Sequence, residues 1–517
     1  MSDRARTALA FILVIAILLI WSLMSRRKTT PEPPEDVTRD SVEVPVEVPE
    51  EVVEIEPMLV DGDTIVIEKE NIKVVLSSIG GSIKSFYLKH YNINIVPEGN
   101  YLFVSRLRGA TDIIDFNYVV LNDSVIFTNK IDGHNIRKVY YFNHDFGFRL
   151  TTHFPDTMRQ ILSLKSGVSI TEVKNRGEDL RHFNVYIKNE KVDNVTKKIK
   201  DRLGYSGTID WFALRNKYFL LIVNNLASID TLNLYKLPKD VEKKKTAIHI
   251  DNSMNQKINL AVFGCPFYMR GGGNRYGAEI VCRNTMAISV LLLPIRYPEL
   301  AQYKKGYEEV ASGGILGPIA RVILFIFNLF YSIIRNYGFA IILFAILIKG
   351  IFFPLSRQMI LSQHKMQMIQ PELKKIQKKY KDNPQKLNQE MMHLYKTYKV
   401  NPLSGCLPLL VQMPIFFALY RTLITSIEFR QAHFILWITD LSLKDPYYVL
   451  PIGMGVMMLI QSLFTTVDPR QKLMVLFMPI FLVVIFLSLP SGLQLYWFSY
   501  NILTLVEHYI TKRGGIK

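Results

Sequence analysis

Tyr337-Gly-Phe-Ala-Ile-Ile-Leu-Phe-Ala-Ile-Leu-Ile-Lys349-Gly-Ile-Phe-Phe-Pro-Leu355 is apolar enough to cross a membrane, yet it carries one cation, Lys349. A charge at the centre of a bilayer costs about 2.5–3.5 kcal/mol on insertion scales. Lys349 is therefore expected to face protein or water and to mark where something polar enters the apolar layer. The competing reading is snorkelling. Arg357 lies eight residues on, about 12 Å at the 1.5 Å rise of a helix, and a lysine stem covers part of that distance.

Working outward, five apolar runs read as spans, at about 337–357, 406–425, 447–464, 473–489 and 493–510. Residues 357–401 hold ten Lys/Arg against three Asp/Glu. The connection Asp468-Pro-Arg-Gln-Lys472 and the Lys512-Arg513 tail are basic too, whereas 427–446 and Pro490-Ser-Gly492 are not. The positive-inside rule places the basic connections in the cytoplasm. Counting back, both termini are cytoplasmic and residues 61–300 lie outside. Ile315–Ile334 has the length of a span, but Arg321, Asn328, Ser332 and Arg335 recur on one stripe. It is expected to be an amphipathic helix lying in the interface.

The chain has 517 residues and a net charge of +17, of which residues 301–517 supply +13. Ala8–Met24 has no charge and is flanked by Arg4 and Arg6 on one side and Arg26-Arg27-Lys28 on the other. Trp21-Ser-Leu-Met-Ser-Arg-Arg makes a poor cleavage site, so 1–28 is read as an uncleaved transmembrane anchor. Residues 29–60, with six prolines and ten acidic residues against one arginine, read as an extended linker. From 61 to 300 the period changes to two. Val125–Asn129, Ile136–Phe142 and Phe146–Phe154 are expected strands, with turns at Asp132-Gly133 and His144-Asp145, and the region is expected to be an all-β sandwich. Its histidines have no metal-ligand spacing. Cys265 and Cys282 either pair, if that region is exported, or stay as buried thiols.

Residues 301–336 are expected to be a linker followed by the interfacial helix, and 337–517 a five-span core. Within that core, 358–400 reads as a cytoplasmic helical hairpin. Met366, Ile369, Leu373, Ile376 and Tyr380 keep helical spacing, as do Leu387, Met391, Leu394, Tyr395 and Tyr398. Asp382-Asn383-Pro384 supplies the break. Part of this pattern is a hairpin packing on itself. Met366, Met368, Met391 and Met392 beside Lys374, Lys375, Lys378 and Lys379 also make a surface suited to varied apolar partners, and to ribosomal RNA, anionic lipid or acidic proteins.

Several motifs occur in an order that resembles a known family. They include Asn336-Tyr-Gly-Phe339, Lys349-Gly-Ile-Phe-Phe-Pro354, Asn388-Gln-Glu-Met-Met-His-Leu-Tyr-Lys396, Asp440-Leu-Ser-Leu-Lys-Asp-Pro-Tyr-Tyr448 and Pro490-Ser-Gly-Leu-Gln-Leu-Tyr-Trp497. Val400-Asn-Pro-Leu-Ser-Gly-Cys406, which continues to Tyr420, belongs with them. Together they resemble the YidC/Oxa/Alb membrane protein insertases densely over about 300–515. Gly80-Gly81-Ser-Ile-Lys-Ser-Phe-Tyr-Leu88 and Trp211-Phe-Ala-Leu-Arg-Asn-Lys-Tyr-Phe219 resemble the exported domain of members from bacteria with two membranes. The resemblance implies an inner-membrane protein with five core spans around a polar groove whose charge draws in polar parts of a nascent segment. The groove charge, normally arginine, is Lys349 here. The usual groove threonine is Ala345, and the second of two paired tyrosines is Trp497. Gln412, Tyr496 and Asn501 remain as polar lining.

The expected function is a non-enzymatic insertase and chaperone for nascent membrane proteins, without cofactor, metal or small-molecule substrate. Its expected partners are membrane lipids, the Sec translocon and the ribosome. The alternative is a polytopic transporter, which would require inverted repeats, or broken helices with charged pairs at the midplane; the sequence offers no sign of them. His364, His393, His433 and His508 are scattered, and Glu507-His508 reads only as an interfacial pair, so a membrane enzyme is disfavoured.

Overall fold

Alternation of apolar and polar residues over 124–153 produces three neighbouring antiparallel strands, Ser124–Ile131, His134–His144 and Gly147–His153. Asp132 and Gly133 both take positive φ, the two-residue turn whose twist suits a hairpin. The computed structural model describes residues 62–109, 113–164, 167–173, 176–226, 229–237, 274–311, 316–381, 383–398, 400, 407–464 and 472–514. The expected anchor and linker, Cys265, Cys406 and the 465–471 connection lie outside the described residues.

The described chain divides into two units, with the boundary between Ala311 and Ser312. In the first, strands form sheets of four, five and nine members, with antiparallel ladders throughout. The inner face of the nine-stranded sheet presents Phe127, Tyr140 and Phe148, all fully buried. Phe148 meets Phe86 of the four-stranded sheet at 6.1 Å between ring centroids, and Phe103 at 5.5 Å.

Lys138 is buried among these rings, with no carboxylate partner among the described residues. Its Nζ donates to the Gly80 carbonyl at 3.0 Å, to Ser105 Oγ at 2.9 Å and to the Phe103 carbonyl. Beside it, the Tyr140 hydroxyl donates to the Gly81 carbonyl at 2.7 Å. Gly80 sits at φ +67°, where a Cβ would also strike Val104 at 2.6 Å, so the Gly-Gly motif turns the Gly80 carbonyl onto the Lys138 nitrogen and the Gly81 carbonyl onto the Tyr140 hydroxyl. The Trp211–Phe219 motif is a strand, a turn and the start of the next strand. The Asn216 side chain accepts the backbone N–H groups of Tyr218 at 3.1 Å and Phe219 at 2.7 Å, and Lys217 pairs with buried Glu172 at 2.8 Å.

Residues 301–311, expected to be linker, pack onto this β unit. Leu300, Tyr307 and Val310 join Trp211, Leu220 and Leu291 in one apolar cluster. Trp211 Nε1 donates to the Lys305 carbonyl at 3.0 Å, and Arg215 Nη1 to the Val310 carbonyl at 2.9 Å. The aromatic and guanidinium groups needed to capture this tail lie about ninety residues upstream, and no local pattern reveals them.

The second unit contains eight helices among the described residues: α1 Gly317–Ile334, α2 Tyr337–Met368, α3 Gln370–Lys379, α4 Pro384–Thr397, α5 Leu407–Thr425, α6 Val449–Phe464, α7 Lys472–Phe486 and α8 Ser491–Gly514. By length and composition, α1 and α2 are long and apolar enough to cross a membrane. α1 packs on its neighbours, where Phe327 on its buried face meets Phe344 of α2 at 5.0 Å and Phe429 at 5.4 Å. α2 continues through the expected interface at Arg357 to Met368, 32 residues in all, or about 48 Å at 1.5 Å per residue. Pro354 lies within it without ending it.

The motifs lock these helices at one end. Asn336 caps α2, its Oδ1 accepting Gly338 N at 2.8 Å and Phe339 N at 3.2 Å, while its Nδ2 donates to the Phe434 carbonyl at 3.1 Å. Asp445 accepts from Trp437 Nε1 at 3.0 Å and from Leu450 N at 2.8 Å, and so starts α6. Ser491 N donates to the Leu443 carbonyl at 2.6 Å and Gly492 N to the Leu441 carbonyl at 3.0 Å, docking the start of α8 on the same loop.

Burial holds the Lys138 pKa well below the ordinary lysine value. Between that lowered value and the unfolded value near about 10.4, the unfolded chain binds more protons, so stability rises with pH. Thermal unfolding of 62–311 in the full chain, followed by pulse proteolysis, should shift upward from neutral pH toward pH 9.5. Lys138→Met should lose that shift. A Cβ on Gly338 would lie 2.0 Å from the Phe434 ring. Gly338→Ala should therefore cost about 1–3 kcal/mol by overpacking, seen as a lower melting temperature of the helical unit in detergent.

Candidate functional site

The buried stripe of α2 contains Ile341, Phe344, Ala345 and Lys349, with Met359 and Ile360 further on. On α8, Tyr496, Tyr500, Thr504, Glu507 and Thr511 recur at i, i+4, i+8, i+11 and i+15, which places them on one face. The two stripes pack together, and the polar members meet.

Lys349 Nζ stands 2.6 Å from Glu507 Oε2 and donates to Thr504 Oγ1 at 2.9 Å. It also lies 4.7 Å from the centroid of the Tyr500 ring. Ser356, two turns after Lys349 on α2, donates to the same Glu507 oxygen at 2.7 Å. Lys349 is 7% exposed and Glu507 4%. Opposite charge, two hydroxyls and a ring face are what two ions need once both are taken out of water.

Two readings meet the contacts here. Lys349 faces protein, as expected, and its ammonium is held inside the helix packing. Glu507, read from the sequence only as half of an interfacial pair with His508, is the counter-ion of Lys349. A charged pair between buried faces is one of the features the sequence had seemed to lack. Thr504, Glu507, Tyr500 and Ser356 were missed, although the spacing of polar residues along an otherwise apolar α8 was the signal.

Further along the seam, Gln412 Nε2 of α5 donates to the Tyr496 hydroxyl at 2.6 Å. Tyr496 lies 6.0 Å from Tyr500 and 5.9 Å from Phe344, ring to ring. Gln412, Tyr496, Tyr500, Lys349 and Glu507 thus form one continuous polar file, with Ala345 buried one turn before the lysine. Asn501 turns to α6 instead, where Gln461 Nε2 donates to its backbone carbonyl at 3.0 Å. Trp497 joins an aromatic cluster with Phe416 and Phe486, each at 5.4 Å.

The hairpin of α3 and α4 closes over Ile369, Leu373, Leu394 and Val400, against which Met366 and Met391 pack. Those two methionines are half-buried against its core. Met366 and Met368 lie on the end of α2, not on α3. Met368 and Met392 are 71% and 55% exposed, and Lys374, Lys375, Lys378 and Lys379 are exposed along α3. Asn383 caps α4 through Lys386 N at 3.0 Å.

Residues 329–517 match the family described as 60Kd inner membrane protein. A protein of Citrifermentans bemidjiense named membrane protein insertase YidC is 31% identical over 490 residues, covering 87% of this chain and 85% of its own length. The chain belongs to the family of YidC membrane protein insertases. A YidC insertase of Francisella tularensis subsp. novicida is 44% identical over 241 residues, 46% of this chain and 44% of its own. A crystal structure titled as an active YidC insertase with its first transmembrane domain resolved aligns at a TM-score of 0.40 and 18% identity, over 89% of this chain and 95% of that one. The chain is thus an inner-membrane protein with apolar helices and a large β-rich unit. Its function is insertion of membrane proteins, and its clients are nascent membrane proteins.

Removing one ion of a buried pair strands the other, at roughly 3–5 kcal/mol. Lys349→Ala should therefore lower the melting temperature of the detergent-solubilised chain more than the double variant Lys349→Ala/Glu507→Ala does. Equal losses would show that the pair is not desolvated.

Proposed function

We propose that the polar file between α2 and α8 is the place where the polar part of a client segment enters the membrane. The observation that carries this reading is the buried Lys349, kept in an otherwise apolar helix at the cost of building a counter-ion and two hydroxyls around it. Moving a polar flank through hydrocarbon alone leaves its groups without partners. A file of hydroxyls, amide and ammonium supplies partners along the way. Burial of about 20 apolar residues of the client in lipid then drives the step to completion. The chain needs no bond-making chemistry for this role.

In this reading α2, α5, α6, α7 and α8 are the five core spans and residues 1–28 an anchor. Residues 358–400 and both termini are cytoplasmic, and 61–300 periplasmic. α1 lies in the interface against α2. The basic hairpin captures nascent chains, approaches ribosomal RNA and anionic lipid, and works alone or beside the Sec translocon. What supports this topology is the bias of Lys and Arg among the connections.

Depletion of a host's own insertase, followed by protease protection of single-span clients, tests the proposal. Lys349→Arg should keep insertion because a cation remains. Lys349→Ala should lower insertion of clients with acidic translocated segments about tenfold, equivalent to about 1.4 kcal/mol on the barrier, and spare neutral ones. Uniform insertion by Lys349→Ala at equal protein level would sink the role of the charge. The hairpin buries only a small core, so it should open cheaply. Amide exchange across 370–398 should outpace that of 337–360 and 491–511, and deletion of 370–398 should abolish insertion.

A further inference from the structure

We infer that Glu507 sets the charge preference of this insertase, which admits a client by exchanging ion-pair partners and does not offer a free cation. The inference rests on the polar file being the client path. Lys349 is already satisfied by Glu507 Oε2 at 2.6 Å and by Thr504 Oγ1 at 2.9 Å. A client carboxylate gains little from the lysine unless Glu507 gives way.

The surroundings are built for that exchange. If the pair parts, Lys349 keeps Thr504, and Glu507 keeps the Ser356 hydroxyl at 2.7 Å. Each ion then holds one hydroxyl but has lost its counter-charge, which the client's groups must replace. The second carboxylate oxygen, Glu507 Oε1, is shielded from solvent and has no hydrogen-bond partner among the described residues. A buried acceptor in that state calls for a donor. The chemistry that completes the site is therefore two-sided: a carboxylate or carbonyl for Lys349, and an N–H or hydroxyl for Glu507. Unfolded backbone and neutral polar side chains such as Asn, Gln or Ser present both. A purely acidic segment presents only the first and meets the repulsion of Glu507.

Matched single-span clients whose short translocated tails carry either aspartates or asparagines test this in the full-length chain. The membrane potential is collapsed so that the field does not act on the tail charge. Wild type should insert both clients comparably. Glu507→Gln should raise the aspartate-to-asparagine insertion ratio severalfold, Lys349→Met should lower it severalfold, and the double variant should return it toward wild type. An unchanged ratio in Glu507→Gln overturns the role of Glu507. If Lys349→Met shifts the ratio while Glu507→Gln does not, only this inference falls. If neither shifts it, the client path itself is misassigned. Should Glu507→Gln fail to accumulate, the wild-type ratio decides alone, since a severalfold preference for the aspartate tail contradicts a neutralised site.

Discussion

An ammonium and a carboxylate buried within apolar helices must find each other or remain unbuilt, and that requirement organises the helical unit. Lys349 and Glu507 are 158 positions apart in the chain, yet their separation of 2.6 Å fixes both the rotation of α2 and α8 and their relative height. A one-residue turn of either helix would separate the charges and expose two ions to hydrocarbon. The hydroxyls of Ser356 and Thr504 tighten the register from each helix in turn. Apolar packing alone tolerates sliding of such faces, whereas a desolvated ion pair does not.

The same rule governs the β unit with different means. Lys138 has no carboxylate among the described residues and is held by two carbonyls and a hydroxyl, while Lys217 takes Glu172. Each buried lysine stands where separate segments of chain converge, so each acts as a staple. The motifs that mark this family, read as geometry, are mostly such staples and caps. Asn336, Asp445 and Asn216 use side chains to complete backbone hydrogen bonding at chain reversals, and Gly80 and Gly338 clear space where a Cβ would collide.

Insertion chemistry asks for something different: polar groups available in an apolar setting, but not so strongly satisfied that a client finds no role. The file from Gln412 to Glu507 answers with graded satisfaction. Gln412 and Tyr496 satisfy each other, Lys349 is fully engaged, and one oxygen of Glu507 is left over. The substitution of lysine for the arginine that the family resemblance implies fits this arrangement. A compact ammonium binds one carboxylate oxygen as a point charge, whereas a guanidinium fork would take both.

Much of this protein was legible in its sequence, because period and charge are local properties. Alternation over 124–153 predicted three strands that the structure forms within one or two residues, and long apolar runs predicted α2, α5, α6, α7 and α8. The break at Asp382-Asn383-Pro384 was placed where α4 begins, since Asn and Pro act on their own neighbours. Lys349 was conspicuous for the same reason: a cation in an apolar run shows itself without any partner. Its partner was not conspicuous. Glu507 stands close to a span end in sequence, and only the packing of α8 against α2 turns it inward. Trp497 and Asn501 failed as members of the file for the converse reason, because one position along a helix turns a side chain by about 100° onto another neighbour. The capture of 301–311 by Trp211 and Arg215, and the burial of Lys138, were likewise decided by contacts between segments far apart in the chain. Sequence sets which residues must be satisfied, while tertiary structure decides by whom, since a hydrogen bond or ion pair depends on a distance that local pattern does not contain.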